Sequence, residues 1–145
     1  MARFCPSKFL ALLCAASFSV LAFADELTRL EGKWTCQRKK SNGDLVTQVL
    51  EIKGAKFKYQ QKGADGVARL FAEGEVKTEK LGPFSVAKFF NIKGGESSTD
   101  LQSIDDDHTL VYSLDFDKLR MAAGFDKERD DDEPRVDVYA KSAGK

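Results

Sequence analysis

The sequence predicts an all-β domain: a single up-and-down antiparallel meander closing into a barrel of eight or nine strands, behind a cleaved signal peptide. Three observations carry that expectation. From residue 32 onward apolar and polar residues alternate with period two, and turn residues punctuate the alternation about every 8–12 positions. No long stretch repeats with the 3.6-residue period of a helix. Gly32-Lys33-Trp34 opens the first strand shortly after an export signal.

The N-terminus reads as a targeting segment. Arg3 and Lys8 supply a positive start, the run from Phe9 to Phe23 is apolar apart from two serines, and Ala22-Phe23-Ala24 places small residues where a signal peptidase reads. Cleavage after Ala24 assigns residues 1–24 to the signal and residues 25–145 to one domain. The apolar run is shorter than the roughly 20 residues a spanning helix needs. Cys14 could instead mark a lipoprotein, but the bulky Leu13 before it argues against that reading. The protein is therefore expected to be exported, to a periplasm or the extracellular medium.

A short helix is expected over Asp25–Glu31, and strands follow. The first is Gly32–Lys40, with Trp34 and Cys36 inward and Lys33, Thr35 and Gln37 outward. Asn42-Gly43 then tolerates the positive φ angles of a tight hairpin. Leu45–Lys53 is the second strand, where Val49 interrupts the alternation and suggests a bulge. Lys56–Lys62 alternates most cleanly, with Phe57 and Tyr59 on one face. Val67–Glu79 carries small residues at Ala68, Ala72 and Gly74, and Gly74 marks a candidate bend for closure. Phe84–Lys93, an open loop Gly94–Ser98, a short strand Thr99–Ile104, then His108–Phe116, Lys118–Phe125 and Val136–Lys141 complete the chain.

Composition excludes several functions. The chain holds 23 basic and 23 acidic residues, and loss of Arg3 and Lys8 leaves it slightly acidic. Such a balance attracts neither nucleic acid nor an anionic membrane. With Cys5 and Cys14 in the signal, Cys36 alone remains and no internal disulfide can form. It shares a strand face with Trp34, so a buried, inert thiol is expected.

Candidate chemistry is thin. His108 is the single histidine, beside Asp105-Asp106-Asp107. Three consecutive aspartates at a strand end splay to alternate sides and do not converge as metal ligands must. The acidic stretch Asp126–Glu133 could attract calcium but lacks the spacing of a calcium loop, and Lys127 and Arg129 offset its charge; a hydrated loop is the plainer reading. Ser97-Ser98-Thr99 lacks the following helix and lysine of a phosphate cradle. No serine or cysteine has an evident base. Neither a catalytic residue, a metal nor a cofactor is expected, and the protein is not read as an enzyme.

Leu30-x-Gly32-x-Trp34, the turn at Asn42-Gly43, the Phe57/Tyr59 strand and the terminal Val138-Tyr139-Ala140-Lys141 together resemble an uncharacterised lipocalin-like domain family found in many copies in planctomycete genomes. That resemblance implies a lipocalin-like barrel whose closed end Trp34 plugs, near a basic side chain from a late strand, with Lys141 and Arg135 as candidates. The chain lacks the Gly-Ile-Tyr segment of that family and shows Pro134-Arg135 where it has Arg-Pro.

The aromatic residues are the better lead to function. An eight-stranded barrel is just wide enough to be filled by side chains or to hold one small ligand. Trp34, Phe57, Tyr59, Phe84, Phe90 and Tyr112 would fill it if all faced inward, whereas Ala68, Ala72, Gly74, Ala122 and Gly124 leave room. The balance tips narrowly to a filled lumen. The function expected is binding of a small apolar or amphipathic ligand at the open end, with Trp34, Tyr59, Phe90 and Tyr112 lining or flooring the site. The alternative is a barrel that binds an exported protein, such as a protease, through the polar loops Gly94–Ser98 and Asp126–Pro134.

Overall fold

The computed structural model describes residues 19–125 and 134–143, with side chains from Asp25 onward. The signal-peptide features up to Phe18 and the acidic stretch Asp126–Glu133 lie outside the described residues. A helix α1 (Ser19–Leu30) leads into β1 (Gly32–Lys39), β2 (Leu45–Lys53), β3 (Lys56–Lys62), β4 (Ala68–Leu81), β5 (Phe84–Ser97), β6 (Asp100–Ser103), β7 (His108–Asp115), β8 (Lys118–Ala123) and β9 (Arg135–Lys141). Eight strands close on themselves in the order β1-β2-β3-β4-β5-β7-β8-β9, every pairing antiparallel. The ninth, β6, pairs with the far half of β5 alone. The seam is short: Trp34 faces Lys141 and Thr35 faces Ala140 across β1 and β9, and Ser142 N–H adds a bond to Lys33 O at 2.7 Å.

Alternation decides what fills the lumen. At one end α1 closes the barrel, and Leu30, Trp34, Ile52, Val76 and Leu119 are fully buried there. Burying each such side chain is worth about 1.5–3 kcal/mol, so this end supplies much of the stability. The Gly-x-Trp pair has a physical reason. Gly32 turns the chain from helix to strand at φ 130°, and a Cβ there would lie 2.7 Å from Lys141 Cε. The lysine stem therefore passes over the indole, with Nζ 5.1 Å from the ring centroid, while Trp34 Nε1 donates to Leu30 O at 2.8 Å.

Gly74 makes the bend that closure requires. The β4–β5 register shifts between Glu73 and Glu75, opposite Asn91 at φ 50°. A Cβ on Gly74 would stand 2.8 and 2.9 Å from the Phe90 and Asn91 carbonyl oxygens. No such shift occurs at Val49, where the sequence suggested a bulge: β2 pairs in continuous register on both sides. Val49 is instead an outward residue buried in a groove that Phe71 and Leu101 also line.

Strand limits otherwise fall within a few residues of expectation. The main correction is β5, which runs through Gly94 and Gly95 to Ser97 as a hairpin with β6 rather than ending in an open loop. The helix begins at Ser19, ahead of the expected Asp25.

Candidate functional site

The lumen changes character along its axis. Towards the end away from α1, the inward positions of β1, β2, β3 and β9 carry Cys36 and Arg38, Gln48, Tyr59 and Gln61, and Arg135, Asp137 and Tyr139. Strand alternation puts them there, since each sits an even number of residues from a core anchor such as Trp34, Leu50 or Phe57. Register then gathers them: Cys36 faces Gln48, and Gln48 faces Gln61.

Several of these groups pair with one another. Tyr139 Oη donates to Gln48 Oε1 at 2.9 Å, spanning over β1 between residues 91 positions apart. Tyr59 Oη donates to Gln61 Oε1 at 3.4 Å. Arg135 Nε lies 3.2 Å from both carboxylate oxygens of Asp137, which is only 7 % exposed. Burial pushes the Tyr59 phenol up to about 12, and it raises the Tyr139 phenol further still. Both therefore stand as neutral hydrogen-bond donors at neutral pH. Burial, helped by the negative charge of Asp137, also raises the Cys36 thiol. A thiol held protonated is a poor nucleophile.

Of the four residues expected to line a site, the structure brings only Tyr59 to this polar region. Trp34 is fully buried at the closed end. Tyr112 is there too: its hydroxyl donates to Glu26 Oε2 at 3.3 Å, and Glu26 in turn meets Lys80 at 2.8 Å, tying α1 to β4 and β7. Burial first and the Glu26 charge second lift the Tyr112 phenol to about 12. Phe90 faces outward, because it neighbours the inward Phe89 and lies beside exposed Lys77, 6.0 Å from its ring centroid. Phe89 takes the inward place, edge-on to Phe57 at 4.9 Å.

Phe84 and Ala122, weighed above as lumen residues, are outward as well. Phe84 is 56 % exposed, and Ala122 stands in a cross-strand row with Val111 and Val136. Together these residues floor a groove of about 630 Å³ on the outer face, bounded by Glu26 and Arg29 of α1, Lys80 and Arg120. A second outer groove of about 240 Å³ lies over β2, β3 and β4, with Ser98 and Leu101 on its wall.

His108 is half-buried at the start of β7, with Nε2 3.9 Å from Asp106 Oδ2. Asp107 turns instead to Lys88 at 3.3 Å, so consecutive aspartates do splay apart. Among the described residues no three His, Cys, Asp or Glu side chains converge.

Sequence reasoning missed Arg38, Gln48, Gln61, Asp137 and Tyr139, and it offered Arg135 as a neighbour of Trp34, where Lys141 stands while Arg135 pairs with Asp137 instead. The signal was present as parity: each is a polar residue at an inward position of its strand. The chain matches no protein-family model, no curated protein and no solved structure.

Proposed function

We propose that the barrel binds a small amphipathic molecule at its open end, its polar group against Tyr59, Gln61, Arg38 and the Arg135–Asp137 pair and its apolar part directed towards Leu50, Phe57 and Met121. The observation that carries this reading is the polarity change inside one lumen. Enclosing polar groups costs stability unless each is satisfied, and an apolar filler would hold a barrel of this width shut more cheaply. Residues kept against that cost, at the end not stoppered by the helix, suit a ligand that brings both polar and apolar surface. The reading takes the chain as an exported, lipocalin-like domain cleaved after Ala24, as the resemblance and the signal-like N-terminus suggest.

Native mass spectrometry of protein purified from its own host is the first test, since it reveals a retained small molecule directly. Calorimetric titration with short- and medium-chain amphiphiles bearing carboxylate, hydroxyl or amide heads follows. Saturable binding that Tyr59→Phe and Gln61→Leu each weaken by about tenfold, a loss of roughly 1.4 kcal/mol, supports the proposal. No bound species and no saturable heat across that panel would remove it.

A further inference from the structure

One molecule carries both a knob, at its closed end, and a hole, on its outer face. The knob is Asp115-Phe116-Asp117 at the tight turn joining β7 to β8. Phe116 is 97 % exposed and adopts φ 49°. In a two-residue hairpin loop that conformation belongs to glycine, asparagine or aspartate. A bulky side chain held there is strained, and this ring gains no packing within its own chain in return. The turn is nonetheless firmly presented, because Lys141 N–H donates to Asp117 O at 2.8 Å.

The hole is the larger outer groove, with Phe84, Val111, Ala122 and Val136 as an apolar floor and Arg29 and Arg120 at its margin. Among the described residues neither arginine makes an ion pair, and neither does Asp115 or Asp117. Lys80, by contrast, is already engaged by Glu26.

We propose that the protein self-associates, with the Asp115–Asp117 turn of each copy seated in this groove of the other. Charge complementarity selects the occupant: an acidic–aromatic–acidic knob matches an apolar floor set between two arginines. Proximity allows reciprocity. Leu114 lines the groove and stands two residues from Phe116, so knob and hole adjoin as a two-fold exchange requires. The open-end cluster takes no part, so this proposal and the ligand-binding reading stand or fall separately.

Sedimentation equilibrium of the full protein between about 1 μM and 1 mM tests it, that range bracketing weak to moderate affinities. A monomer–dimer equilibrium is expected, weakened by salt because charge contributes. Phe116→Asn keeps the φ angle and should raise the dissociation constant at least about tenfold, as loss of a central aromatic anchor does. Arg120→Glu should do likewise, and adding Asp117→Lys to it should restore association. A protein that stays monomeric throughout the range overturns the proposal and leaves the groove to another occupant. A dimer indifferent to Phe116→Asn, or a charge swap that fails to restore association, overturns it equally.

Discussion

The two ends of the barrel are built to opposite rules. At the α1 end the interior is predominantly apolar, with Thr78 a buried polar exception, its indole covered by a lysine stem and its helix pinned through Glu26 to Tyr112 and Lys80. At the other end the same strands, a few residues further on, turn inward a cysteine, two tyrosines, two glutamines, two arginines and an aspartate. One strand scaffold thus carries two kinds of interior. The first end contributes stability, and the second encloses polar groups that cost stability unless each is satisfied.

That contrast can be broken most sharply at Trp34. Trp34→Ala removes a fully buried side chain, its bond to Leu30 O and the surface that Lys141 covers. Equilibrium urea unfolding should show a loss of about 3–5 kcal/mol, as for other buried aromatic truncations. Tyr139→Phe at the polar end should cost less, about 1–2 kcal/mol, because only the hydroxyl on Gln48 is lost. Equal losses at the two sites would erase the distinction.

Alkaline pH sharpens it differently. Tyr59 at the polar end and Tyr112 at the closed end both titrate near 12 when folded, against an ordinary value of 10. A phenol whose pKa rises on folding contributes stability fully present below pH 10, and this is lost as pH climbs from 10 towards 12. Urea midpoints measured across that window should therefore fall, and more shallowly in Tyr59→Phe than in the parent. A midpoint independent of pH there would contradict the burial of both rings.

The smallest effect is expected outside the lumen. Phe116→Gly should stabilise the monomer by roughly 0.5–1 kcal/mol, since it relieves a left-handed φ without removing an internal contact. A thermal melt at low protein concentration reads this, and a destabilised variant would mean that the ring packs within its own chain.

Much of the scaffold was legible in the residues. β2 and β3 match their expected limits, and Gly32-x-Trp34, Cys36 and Gly74 take the roles their surroundings implied: entry to the first strand, a buried thiol, and the bend at closure. Local alternation and turn chemistry are short-range signals, so a single sequence carries them. Errors arose where a local irregularity has a distant cause. The shift at Gly74 and Asn91 fixes which of two adjacent phenylalanines faces inward, and neither residue announces that by itself. Gly94-Gly95 looked like a loop but lets β6 lie close against β5, with Ile104 Cδ1 2.6 Å from where a Gly94 Cβ would stand. Val49 looked like a bulge because the cover over its outer face comes from β4 and the β5–β6 hairpin.

The candidate site was less legible for the same reason. Its members were visible singly as polar residues at inward parity, but their convergence depends on the β1–β9 seam joining chain ends about a hundred residues apart, a non-local pairing that periodicity does not encode. Aromatic character drew attention to Trp34, Phe90 and Tyr112, and of these two serve the closed end and one the exterior.

Amide NMR mapping of an amphiphile titration tests the division between the two ends most directly. Saturable shifts confined to Cys36–Arg38, Gln48, Tyr59–Gln61 and Arg135–Tyr139, with Trp34 and Leu119 unmoved, are the expected result. Shifts centred on the outer faces or on the α1 end, with the polar cluster silent, would contradict it.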